Sequence, residues 1–167
     1  MSNALDKVQE NIFKLSSDEL KNNEILPNAQ VYKGYGCSGE NVSPQLSWQN
    51  APENTMSFAI VCHDPDAPRP NGWYHWLVVN IPKNITSIKK AGKIESALET
   101  LTDFETVGYG GACPPINHGI HHYNFTVYAL DVEKIDVKQN DKPTTVEAKI
   151  LEHAIAKSTI TGLFERK

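Results

Sequence analysis

The most strongly hydrophobic stretches of the chain lie in its middle and alternate with a period of two. Ser57–Cys62 is a short apolar run, long enough for a strand and too short for a typical helix. Trp73–Val79 is rich in aromatic and β-branched residues and reads as a second strand. Between them, Asp64–Gly72 holds turn formers and three prolines, which remove backbone donors and fix φ. Strict alternation puts His75 on the face of Leu77 and Val79, with Tyr74, Trp76 and Val78 opposite. Ile120–Leu130 is the clearest strand. His121, Tyr123, Phe125, Val127 and Ala129 share one face, and His122, Asn124, Thr126, Tyr128 and Leu130 the other.

Weaker patterns fill the rest. Asn11–Leu15 reads as an opening strand, Gln30–Tyr32 as a short edge strand, and Val42–Trp48 as an extended edge segment containing Pro44. Gly34–Asn41 and Gly108–Pro115 are glycine-punctuated loops. The first lacks the Gly-Lys-Ser/Thr ending of a phosphate-binding P-loop. Thr86–Thr106 is polar and aperiodic, and reads as a long surface excursion. One helix is predicted near the C-terminus, with Thr144 as cap, Glu147 three residues on and Pro143 just outside. Val146, Ile150 and Ala154, flanked by Leu151 and Ile155, form its apolar stripe, and Gly162 marks its stop. Without βαβ alternation, these elements predict an all-β antiparallel sandwich with a C-terminal helix and long loops, a single domain over residues 1–167.

A net charge of −4 leaves no basic excess for nucleic acid. Cys37, Cys62 and Cys113 are odd in number and far apart, without a CxxC pair. They suggest neither a zinc site nor a disulfide framework. The N-terminal segment carries early acids and no secretory pattern, and no run approaches a membrane span, so the expected location is cytoplasmic.

The candidate chemistry gathers where the acid-proline turn meets the histidine-bearing strands. If those strands are neighbours, Asp64, Asp66, His75, His121 and Tyr123 converge at one end of a sheet. A metal held by His75, His121 and His118 or His122 with an aspartate is disfavoured, because His121 and His122 point to opposite faces and no HExxH or HxH exists. No GxSxG elbow is present. Cys113, in a loop before the His121 strand, is a candidate reactive thiol. Asp64 and Asp66 flank Pro65, too loop-dependent for a glycosidase pair; one is expected to lock the turn and the other to face a pocket. No cofactor is implied.

Asp64-Pro65-Asp66-Ala67-Pro68, Trp73-Tyr74-His75-Trp76 through Pro82, Gly108-Tyr109-Gly110-Gly111 to Cys113-Pro114-Pro115, and His118-Gly119-Ile120-His121 to Tyr123 resemble the phosphatidylethanolamine-binding protein family. The bacterial, Raf-kinase-inhibitor-like branch is the nearer match, and Asn41-Val42-Ser43-Pro44 resembles the family's early motif. The resemblance implies a Greek-key β-sandwich with a small anion pocket. Asp64, His75, Pro114, Pro115, His121 and Tyr123 fall on the pocket positions, with Asp66 and Pro68 in the supporting loop. It further implies a phosphate, acetate or phosphoethanolamine-like ligand, bound without catalysis. The ligand would accept from His121, from His75 and from backbone N–H groups near Gly110, Gly111 and Ala112, with Cys113 and His118 alongside. Bacterial members are often homodimers, and eukaryotic members inhibit kinases or proteases, which makes an inhibitor of such an enzyme the alternative reading. A weak hydrolase using Cys113 or a His/Asp pair is a further one. Arg69-Pro70 is the candidate cis bond. His122 stands where relatives frequently carry arginine.

Overall fold

The computed structural model describes residues 12–167, so the first residue of the predicted opening strand lies outside them. Along the described chain run β1 (Lys14–Ser16), β2 (Glu24–Ile25), β3 (Lys33–Gly34), β4 (Cys37–Ser38), β5 (Leu46–Gln49), β6 (Ser57–Asp64), β7 (Trp73–Pro82), β8 (Ser87–Ile88), β9 (Leu98–Glu99) and β10 (His121–Leu130). The helix α1 (Pro143–His153) and the strand β11 (Ala154–Phe164) follow. The main sheet has the order β2-β11-β10-β6-β7-β9, and a smaller one the order β1-β5-β8.

Alternation decides which residues face which layer. Phe58, Ile60 and Cys62 of β6 and Tyr123, Phe125 and Val127 of β10 point toward the small sheet. There they share one core with Leu15, Leu46, Trp48 and Ile88. Ala59, Val61, Tyr128 and Leu130 point the other way, onto Val146 and Ile150 of α1. The result is a three-layer stack of small sheet, large sheet and helix, with no helix long and apolar enough to cross a membrane among the described residues. Fully buried side chains such as Phe125 and Ile150 each contribute roughly 1.5–3 kcal/mol through removal from water.

The structure departs from the sequence pattern in two places. The first concerns β7, which does not alternate strictly. Cys62 pairs with Trp76 but His63 pairs with Tyr74, so the ladder shifts register at His75. This bulge places Tyr74 with Leu77 and Val79 on the helix side, while Trp76 and Val78 join the small-sheet side. His75, whose ring edge meets Tyr123, goes with the latter pair rather than with Leu77 and Val79.

The second concerns the C-terminus. The helix ends at His153, and Gly162 is not its stop: the chain continues directly into an 11-residue strand that pairs with the whole of β10. Gly162 instead lies in β11, where an added Cβ would collide with the side chain of Leu26. Pro143 lies inside the first turn of the helix, where its missing N–H costs nothing, and no side-chain cap from Thr144 forms. Leu151 and Ile155, placed on the apolar stripe by sequence, are exposed.

Candidate functional site

Antiparallel pairing sets the location. The end of β6 lies beside the start of β7 and, on its other edge, the start of β10. Asp64, His75, His121 and Tyr123 therefore come to the same end of the sheet, on the small-sheet side. They line a cavity of about 540 Å³, together with Pro68, Cys113, Pro114 and Pro115. Sequence reading missed other walls: Tyr35 from the β3–β4 hairpin, Ala67 and Arg69 from the turn, and Asp103, Phe104 and Glu105 from the stretch read as a surface excursion.

The turn is built by its acids. Asp64 Oδ1 accepts from the Asp66 N–H at 2.8 Å, and Asn71 and Gly72 both adopt positive φ (67° and 63°) to bring the chain back into β7. Asp66 Oδ2 accepts from the backbone N–H and the Nδ1 of His122, at 2.7 and 2.8 Å, outside the cavity. Its partial burial favours the protonated form, but the His122 contacts outweigh this and hold its carboxyl below the usual range. Asp64 thus both closes the turn and faces the cavity, while Asp66 ties the turn to the start of β10.

Asp64 Oδ2 also accepts from His121 Nδ1 at 2.7 Å. Both residues are nearly sealed from solvent, at 3% and 1% exposure. The far nitrogen of His121, Nε2, lies 2.7 Å from Nδ1 of His118. A carboxylate and two imidazoles thereby form a line from the buried turn to exposed His118. One proton sits between the two rings, so His121 has no open nitrogen while His118 is in place.

His75 is buried differently. Its Nδ1 donates to the Gly110 carbonyl at 2.8 Å, and its Nε2 is buried without a partner among the described residues. Burial lowers its pKa to about 4, so at neutral pH the ring is uncharged and Nε2 is a lone-pair acceptor. It therefore cannot donate to an anion. Nor can the neighbouring glycine segment. The N–H of Gly110 donates to His75 O, that of Gly111 to Asn41 Oδ1 and that of Ala112 to Gln30 O. Every backbone donor expected to meet a ligand there is already engaged inside the fold. Gly110 and Gly111 instead permit close packing: a Cβ on Gly110 would run into the Phe104 ring, and one on Gly111 into the Gln30–Tyr32 backbone. The early Asn41 motif and the glycine loop are thus two halves of one support beneath His75.

Cys113 is not a free thiol. It is joined to Cys37 across 76 residues, tying the β3–β4 hairpin to the cavity wall. Sequence distance carried no information on this pairing, because the contact is made by the fold. The reactive-thiol hydrolase loses its nucleophile, and Cys62, the free cysteine of the described chain, is buried in the core with its thiol pushed up by that burial and by Asp64. The Arg69-Pro70 bond is trans, as no cis peptide occurs among the described residues. Arg166 braces the same wall, donating from Nε to Pro114 O at 2.6 Å and from Nη1 to Tyr35 O at 3.3 Å.

Aromatic rings panel the cavity. Phe104 stacks on Tyr32 at 4.8 Å between centroids and meets Trp73 and His75 edge-on at 5.2 and 5.5 Å. Burial, then the nearby Asp64 charge, raises the Tyr123 phenol far above its ordinary range, so it stays a hydroxyl. Ionisable carboxyl groups in the lining are Asp64, Asp103 and Glu105, against the single guanidinium of Arg69.

This architecture has relatives. The model of the family described as phosphatidylethanolamine-binding protein matches residues 16–165. The UPF0098 protein YbcL of Escherichia coli is 42% identical over 162 residues, covering 93% of this chain and 88% of its own. YbhB of the same organism is 40% identical over 158 residues, covering 91% and 99%. The crystal structure of YbcL, described as a new member of the mammalian PEBP family, superposes with a TM-score of 0.90 at 41% identity, covering 93% of this chain and 99% of that one. A Chlamydia trachomatis homolog superposes at 0.81 with 27% identity, covering 94% and 99%.

Proposed function

Because the chain belongs to the phosphatidylethanolamine-binding protein family, we propose that its cavity binds a small phosphate-ester or carboxylate ligand without turning it over. The observation that carries this reading is the buried His121–Asp64 pair, 2.7 Å apart, in the lining of a cavity of about 540 Å³. Asp64 fixes the ring through Nδ1, so a proton on Nε2 creates an imidazolium whose charge the carboxylate balances. An oxyanion that accepts this proton makes a short charge-assisted bond away from bulk water. His118 occupies that position in the free protein. The ligand replaces it, with the Tyr123 hydroxyl as a second donor and His75 Nε2 as acceptor for an O–H or N–H that the ligand brings.

Binding rather than covalent chemistry is favoured by the sulfurs. Cys113 is locked in a disulfide, and Cys62 lies in the core with a raised pKa. The disulfide also bears on location. Such bonds persist in oxidising surroundings, so the pairing favours an oxidising compartment over the cytoplasm expected from sequence.

Calorimetry with O-phosphoethanolamine tests the reading. His121→Ala lowers affinity by about tenfold or more with the fold intact, as loss of a charge-assisted hydrogen bond requires. His118→Ala, which uncovers Nε2, strengthens binding by about two- to tenfold, the worth of one neutral hydrogen bond. Equal affinities in wild type and His121→Ala would remove the proposal.

A further inference from the structure

An anion in this cavity needs a donor that the fold has not already used. The N–H groups of Gly110, Gly111 and Ala112 are engaged, and His75 is an acceptor. Besides the Tyr123 hydroxyl, the exception is Arg69, which carries a permanent charge. Its Nη2 stands 3.6 Å from Asp103 Oδ1, beyond hydrogen-bond range. No hydrogen bond from its guanidinium to the protein forms among the described residues. The group is held by a soft contact instead, with Cζ 4.9 Å above the Trp73 ring. Asp103 itself is fixed, because its Oδ2 accepts from the Tyr74 N–H at 2.7 Å. Beneath the guanidinium, the indole N–H of Trp73 is buried without a partner among the described residues. The result is a half-exposed fork of donors in the cavity lining, steadied by a ring and restrained by a rigid carboxylate.

We infer that Arg69 is the anion-capturing side chain of this pocket and that Asp103 competes with the ligand for it. The inference rests on the proposed ligand-binding reading and deepens it by naming the specificity-determining residue. A guanidinium presents parallel N–H groups that match two oxygens of a phosphate or carboxylate. Asp103 cannot use that geometry at its present distance, so the fork is open to an incoming oxyanion. When the oxyanion arrives, Arg69 keeps its stacking on Trp73 and exchanges a loose ion pair for bidentate hydrogen bonds.

The same two residues would look alike if they merely pinned the turn to the Asp103 loop, so the test compares them. Inorganic phosphate and O-phosphoethanolamine are titrated separately into wild type, Arg69→Gln, Arg69→Lys, Asp103→Asn and His121→Ala, with thermal midpoints recorded. Arg69→Gln is expected to weaken both ligands about tenfold or more, and Arg69→Lys by less, since charge remains without the fork. Asp103→Asn is expected to tighten both by about two- to fivefold, the scale of an exposed ion pair. Added salt weakens wild type more than Arg69→Gln. A preference for O-phosphoethanolamine over phosphate, with equal dependence on Arg69, identifies a head group rather than free phosphate as the ligand. Unchanged affinity in Arg69→Gln overturns the inference, as does Asp103→Asn weakening binding in step with it. Either result beside a normal His121→Ala loss leaves the pocket reading standing. No uptake by wild type brings down both.

Discussion

The two faces of the large sheet bury polar groups in opposite ways, and neighbouring residues of β7 show the contrast. Tyr74 turns toward α1, where its hydroxyl donates to Glu147 Oε1 at 2.7 Å. Burial and this carboxylate raise its phenol above the ordinary range, so it remains a donor. His75 turns toward the cavity, and its Nε2 is left without a partner. An orphaned buried acceptor costs roughly 1–3 kcal/mol. On the helix side the Tyr74 hydroxyl is satisfied, while on the cavity side His75 Nε2 retains an unmet polar demand. The first holds the sheet, and the second lines the cavity.

The largest effect that separates the faces comes from the helix side. Ile150→Ala empties a fully buried site and should cost about 2–5 kcal/mol in denaturant unfolding, with ligand affinity unchanged. A loss of affinity equal to the loss of stability would show that the faces are coupled, and the contrast would fail.

Next comes acid. The folded pKa of His75, about 4, lies below the ordinary 6.5, so the unfolded chain binds the extra proton in this window. Its contribution to stability is complete above pH 6.5 and is lost as the pH falls toward 4, by about 3 kcal/mol. His75→Phe should flatten that part of the stability profile. An identical slope in the variant would assign the acid sensitivity to other groups.

The smallest is Tyr74→Phe, which leaves Glu147 half-exposed to water and should cost about 1 kcal/mol with no change in binding.

The fold was legible wherever side chains alternate strongly. Phe58, Ile60, Tyr123, Phe125 and Val127 announce β6 and β10, and their antiparallel pairing already implies that the acid-proline turn meets the histidines. The bulge at His75 was hidden, because period-two counting assumes an unbroken ladder and an extra residue leaves no compositional mark. β11 was hidden for another reason. Its inward positions are Ala154, Ala156, Ser158, Ile160 and Gly162, small residues with little hydrophobic signal, and Ala154 and Ile155 also continue the helical stripe. Phe104 was an isolated aromatic in a polar run. Only the glycines across from it hinted that something packs there, without saying what. Arg69 drew notice for the proline after it, when its guanidinium was the feature that mattered.

The brace from Arg166 carries a practical consequence. This residue is next to last in the chain, yet it props carbonyl groups on two separate segments of the cavity wall. Trimming two residues from that terminus, or hanging a bulky reporter on it, would slacken a cavity whose histidines lie more than forty positions upstream. Labels and tethers for any titration therefore belong at the opposite end.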